Sequence, residues 1–64
     1  MDTKLKTARK IAGKTQTQLA RECSISLLTY QNYESGQRIP RADVAIRIAR
    51  ALGTTVEDLF REVT

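Results

Sequence analysis

The sequence predicts an all-α fold, a bundle of five short helices. Apolar residues recur at intervals of three and four, as they do along the buried face of an amphipathic helix. No segment alternates apolar and polar residues over enough positions to form a strand. Glycine, serine and threonine divide the chain into helix-length segments. A chain of 64 residues is short enough that we expect one domain, 1–64.

Capping residues set the predicted limits of each helix. Serine and threonine accept hydrogen bonds from the first backbone N–H groups of a helix, and glycine adopts the left-handed conformation that often ends one. The predicted helices cover residues 4–12, 16–23, 27–35, 42–52 and 55 onwards. Their predicted N-caps include Asp2 or Thr3, then Thr15, Ser26 and Thr55, and the glycines that follow helix ends are Gly13, Gly36 and Gly53.

The composition argues against several classes of protein. The chain has no histidine and a single cysteine, Cys23, so neither a disulfide nor a tetrahedral metal site is expected. No nucleophile lies beside a base, and we expect no cofactor and no enzymatic activity. No apolar stretch is long enough to cross a bilayer and no secretory leader opens the chain, which favours a soluble, cytoplasmic protein.

The charge is distributed unevenly along the chain. The net charge is +4, and residues 3–41 carry eight basic residues against only Glu22 and Glu34. The last ten residues reverse the sign, with three acidic residues against Arg61. A basic body suggests a polyanionic partner such as nucleic acid, because Lys and Arg release the counterions condensed on phosphates. A solvated basic surface is the alternative from charge alone.

The third helix has two chemically different faces. At about 100° per residue, Tyr30, Tyr33 and Glu34 lie on one side, which we assign to the core. The opposite side is uncharged, which is unusual for a face exposed only to solvent. Its residues are Leu27, Leu28, Gln31, Asn32 and Ser35. Such a face suits the major groove, where Asn or Gln can pair with adenine and leucine can contact a thymine methyl. Exposed leucines also suit a protein partner.

Five segments together resemble one known family, the helix-turn-helix regulators of the Cro and phage-repressor (XRE) type. Each segment is short, but their order and spacing extend over nearly the whole chain. The segments are TQTQLA (15–20), IS (25–26), YESGQRIP (33–40), IARALG (48–53) and EDLF (57–60). The resemblance implies a five-helix, lambda-repressor-like DNA-binding domain, cytoplasmic in a bacterium or phage-infected cell and associated with the nucleoid. It implies a sequence-specific transcriptional regulator, most simply a repressor.

The resemblance also implies roles for individual residues. Base-reading positions match Leu27, Leu28 and Asn32, with Gln31 beside them, although leucine replaces the polar residues common at the first two. DNA phosphates would be contacted by Gln16, Ser35, Gln37, Arg38 and Arg41. Arg9 and Glu34 match an internal ion pair that links the first helix to the third. Cys23 matches a core aliphatic position.

Two questions stay open at the level of sequence. The same fold also serves as a protein-interaction module, such as an antitoxin or a bridging coactivator subunit, in which Leu27 and Leu28 would contact a protein. Because one recognition helix reads few base pairs, we expect a weak homodimer on a palindromic operator. Its predicted interface consists of Val56, Leu59, Phe60 and Val63, which could instead close a monomeric core.

Overall fold

The computed structural model describes residues 3–60, which form five α-helices and no strand. The helices are α1 (Lys4–Ile11), α2 (Gln16–Glu22), α3 (Leu27–Glu34), α4 (Ala42–Leu52) and α5 (Val56–Phe60). The all-α prediction is confirmed. The first three helices each end one residue earlier than predicted, because Ala12, Cys23 and Ser35 are their C-caps.

Side chains cap the first three helices at their N-termini. Thr3 accepts a hydrogen bond from the backbone of Lys6, and Ser26 accepts one from the backbone of Thr29. Thr15 and Gln18 form a reciprocal capping box at the start of α2. These local contacts satisfy backbone donors that the helix leaves unpaired, which explains why the helix starts could be predicted from sequence.

The turn between α2 and α3 depends on a serine in an unusual conformation. Ser24 has a φ of 59°, in the left-handed region that favours glycine. Its backbone N–H bonds to the carbonyl of Arg21, and the next N–H, that of Ile25, bonds to the carbonyl of Ala20. This turn redirects the chain so that α3 begins with a defined orientation relative to α2.

The core lies where all five helices meet. Within the described residues, α2 packs on α3 and α4, while α5 packs on α1 and α4. The buried side chains come mostly from one stripe of each helix, as an amphipathic pattern requires. They are Leu5, Leu19, Ala20, Cys23, Tyr30, Val44, Ala45, Ile48, Ala49 and Leu59. Cys23 is thus a buried packing residue, as its place in the sequence suggested, and burial raises the pKa of its thiol.

Leu59 corrects one part of the predicted dimer interface. Its side chain is only 2% exposed and belongs to the core of its own chain, so it is not available to a partner. Full burial of a leucine side chain stabilises the folded state by about 2 kcal/mol. Leu59 therefore contributes to the core of its own domain and not to an interface between copies. Val56 and Phe60 are half-buried against the same core, and Val63 lies outside the described residues.

Candidate nucleic-acid interface

Helices α2 and α3 form a helix-turn-helix whose inner contacts are fully buried. Leu19 of α2 and Tyr30 of α3 have no exposed surface, and Cys23 at the end of α2 lies in the same cluster. Close packing of these side chains fixes the position of α3 against α2 and leaves its other side exposed. The pair therefore fixes the direction in which the outer side chains of α3 project.

The outer face of α3 is exposed, uncharged and partly apolar. Leu28 is 67% exposed and Leu27 40%, and Gln31 is also exposed. Thr29 and Asn32 are half-buried at the edges of this face. The structure thus brings together the four residues predicted to read bases, on one side of one helix. We call Leu27, Leu28, Gln31 and Asn32 the outer face of α3.

The inner face of α3 contains an ion pair with α1. Arg9 donates from Nε to Glu34 Oε2 at 3.0 Å and from Nη2 to Oε1 at 2.9 Å, a two-bond geometry that adds both strength and orientation. The side chains of Arg9 and Glu34 are 12% and 4% exposed. The third Arg9 nitrogen, Nη1, donates to the backbone carbonyl of Lys14 at 2.8 Å. The ion pair predicted between Arg9 and Glu34 is present.

Electrostatics around this pair keep it ionised. Burial alone would raise the pKa of Glu34, but hydrogen bonds and the charge of Arg9 outweigh that effect and the pKa is lowered. The pKa of Arg9 is raised, mainly by its hydrogen bonds to Glu34. Tyr30 lies beside both, and its buried hydroxyl has no hydrogen-bond partner within residues 3–60. Burial and the neighbouring carboxylate together raise the pKa of Tyr30.

The contact that Gln16 makes with α3 could not be predicted from the sequence. It is half-buried at the start of α2, and its Oε1 accepts a hydrogen bond from Gln31 Nε2 at 3.2 Å. The Gln16 side chain also helps to lower the pKa of Glu34. The partners are 15 residues apart, and no spacing rule predicts such a contact.

The loop after α3 presents its polar side chains to solvent. Ser35, Gln37, Arg38 and Arg41 are all exposed. The backbone N–H groups of Gln37 and Arg38 both bond to the carbonyl of Asn32, at 3.0 and 3.2 Å, while Pro40 is buried. These contacts anchor the loop at both ends. We call this segment, residues 35–41, the arginine loop.

Several basic side chains form hydrogen bonds that connect elements of the fold. Lys14 Nζ bonds to Glu22 at 2.5 Å and to the carbonyl of Ala51 at 3.2 Å, linking the loop before α2 to α4. Arg47 Nη1 donates to the carbonyl of Cys23 at 3.1 Å, which ties α4 to the end of α2. Arg9, Lys14 and Arg47 thus donate hydrogen bonds within the domain. The net charge of the sequence therefore overstates the number of basic side chains that are free to contact a ligand.

Neither a metal cluster nor a membrane helix occurs among the described residues. In residues 3–60, no three His, Cys, Asp or Glu side chains lie close enough together to hold a metal ion. The helices of the same segment are all too short to cross a membrane.

Comparisons with known proteins agree with this geometry. A helix-turn-helix family model matches residues 5–59. The chain is 41% identical over 56 residues to the cryptic phage CTXphi transcriptional repressor RstR of Vibrio cholerae, covering 88% of this chain and 50% of that protein. It is 35% identical over 60 residues to an HTH-type transcriptional regulator of Methanocaldococcus jannaschii, covering 94% and 91% of the two chains. The chain thus spans about half the length of the phage repressor.

No solved structure matches the chain. The family match is nevertheless continuous from α1 to α5 and contains the whole helix-turn-helix. Both relatives are at least 35% identical, and one of them is matched over nine-tenths of its length. This chain therefore belongs to the XRE-type helix-turn-helix family of transcriptional regulators.

Proposed function

We propose that the chain binds double-stranded DNA with α3 in the major groove and acts as a sequence-specific transcriptional repressor. One observation carries the proposal: an exposed, uncharged helix face lies directly before a loop with two exposed arginines. A major groove accepts one helix of this width, and phosphates border it on both sides. The relative named as a transcriptional repressor supports the direction of regulation, and a bacterial or phage-infected cytoplasm would be its place of action.

The outer face of α3 supplies the proposed base contacts. Asn32 and Gln31 can each pair with the N6 and N7 edge of an adenine, and Leu27 and Leu28 can contact thymine methyls. Gln31 already donates to Gln16, so its carboxamide is oriented before DNA arrives. Orientation before binding reduces the entropy lost when the complex forms.

The arginine loop supplies the proposed phosphate contacts, with Arg38 and Arg41 as the charged groups. Ser35 and Gln37 are exposed beside them and can donate uncharged hydrogen bonds. Arg41 Nη2 lies 3.6 Å from Asp43 Oδ2. Solvent screens this exposed ion pair, and a DNA phosphate can take the place of the Asp43 carboxylate. Gln16 stays a phosphate candidate, although its side chain is half-buried against Gln31.

The first test is the salt dependence of duplex DNA affinity. Arg38→Ala and Arg41→Ala should each weaken binding to specific and random DNA alike and reduce the slope of log K against log salt by about one. Arg50→Ala is the matched control, because this exposed arginine lies nine residues along α4 from Arg41, about 13 Å along the axis. A shallow slope for the unmodified protein would favour the alternative, a protein-interaction module.

We also propose that two copies bind a palindromic site. Each domain would place one α3 in the groove, and two half-sites one DNA turn apart provide the specificity that one helix lacks. Of the predicted interface residues that the structure describes, Val56 and Phe60 keep part of their surface exposed for mutual contact. Sedimentation of the protein with a full palindrome should show two chains per duplex. One chain at saturating protein would rule out the dimer.

A further inference from the structure

We infer that the outer face of α3 discriminates base pairs mainly by pyrimidine C5-methyl groups, so that its preferred duplex is rich in A·T pairs. This inference rests on the proposed DNA binding and names the chemistry of recognition within it. It concerns the two leucines, Leu27 and Leu28, whose exposure the fold does not explain.

The apolar surface on this face is the first line of support. Leu28 is 67% exposed and Leu27 40% exposed, at the start of the helix. Covering an exposed leucine lowers the free energy only when the covering group is apolar. Of the groups on the major-groove edge of the four base pairs, the thymine C5-methyl is the apolar one. The methyl group is therefore the natural partner for these side chains.

The polar groups on the same face point to the same base pair. Gln31 Nε2 is engaged by Gln16, and the hydroxyl of Thr29 accepts a bond from Ser26 at 2.7 Å. Hydrogen-bond readout on this face therefore depends on two carboxamides, that of Asn32 and that of Gln31, whose Oε1 is not used in the bond to Gln16. A carboxamide pairs best with adenine, whose partner base carries the C5-methyl. Amide and leucine can thus read the two halves of one A·T pair.

Charge around the leucines favours DNA as the covering partner. Between residues 23 and 42 the only acidic residue is Glu34, which is buried and bonded to Arg9. The exposed charges of that segment are Arg38 and Arg41. A partner that presents apolar groups bordered by anions matches this surface. Thymine methyls between two phosphate backbones satisfy both requirements.

The experiment uses a site selected from randomised duplex DNA, prepared once with thymine and once with uracil. Uracil lacks only the methyl group, so pairing and phosphates are unchanged. We expect the uracil duplex to bind about fourfold more weakly for each contacted methyl, the ratio that corresponds to one buried CH₂ group. The salt slope should be the same for both duplexes, because the methyl carries no charge.

Variants locate the effect on α3. Leu28→Ala should lower affinity for the thymine duplex and reduce the difference between thymine and uracil. Ile46→Ala is the matched control, since Ile46 is an exposed aliphatic residue on α4, and it should retain the full difference. Thermal melting of each variant shows whether the fold is intact, and Leu27→Ala provides a second variant if Leu28→Ala melts early.

The outcomes separate the inference from the proposed function. Equal affinity for thymine and uracil duplexes, with a steep salt slope, overturns methyl readout and leaves DNA binding in place. Weak binding to every duplex with a shallow slope overturns DNA binding itself. An unchanged thymine-to-uracil ratio in both leucine variants would assign the methyl contact to other residues and also overturn the inference.

Discussion

The two faces of α3 use opposite chemistry within eight residues. The inner face holds Glu34, a buried charge with two hydrogen bonds to Arg9. The outer face has no charge and exposes Leu28 and Gln31. In most surface helices the charges lie on the outer face, whereas the charge of α3 is buried beside Tyr30.

This arrangement separates stability from binding. A buried ion pair stabilises little by itself, but it strongly penalises the loss of either partner. An exposed leucine contributes little to folding and leaves apolar surface for a ligand. The inner face should therefore govern stability, and the outer face should govern recognition.

The largest effect is expected from Glu34→Ala. The substitution leaves Arg9, whose side chain is 12% exposed, without its carboxylate partner. We expect the free energy of unfolding to fall by about 3 kcal/mol. Urea denaturation measures the change. Glu22→Ala is the control, because Glu22 pairs with Lys14 at the surface, and it should cost less than about 1 kcal/mol. If Glu34→Ala lowers the free energy of unfolding no more than Glu22→Ala does, the ion pair of the inner face does not stabilise the fold.

Acid should weaken the same interaction. The pKa of Glu34 lies below its ordinary value of 4.5, mainly because the bonds to Arg9 outweigh burial. A lowered pKa in the folded state means that the stabilisation is complete above 4.5 and is lost as pH falls through the folded pKa. The stability difference between the native protein and Glu34→Gln should accordingly shrink between neutral pH and strong acid. A constant difference would contradict this.

Asn32→Ala tests recognition by the outer face. It should relax preference at one base-pair position, costing about 1–3 kcal/mol of discrimination. Competition between the selected site and its single-base variants measures this. Equal losses on specific and random DNA would show that Asn32 does not read a base.

The smallest effect is expected for the stability of Leu28→Ala. Because this side chain is 67% exposed, the free energy of unfolding should change by less than about 0.5 kcal/mol. A loss of several kcal/mol for Leu28→Ala would place it in the core and end the distinction between the faces.

Local signals in the sequence predicted the helices and their faces. Thr3, Thr15 and Ser26 cap helices as expected, because a cap depends on residues within one turn. The pairing of Arg9 with Glu34 could be named only through the family resemblance, since the two residues are 25 positions apart.

Tertiary packing decided which side chains remained available to a ligand. Leu59 is apolar, as interface residues often are, yet it is buried where α1, α4 and α5 meet. Lys14 counted toward the basic segment, yet the backbone carbonyl of Ala51 accepts a hydrogen bond from it, and Arg47 likewise donates to the carbonyl of Cys23. Caps and periodicity are local properties of the chain, whereas these partners are at least 24 residues away and become neighbours only when the helices pack.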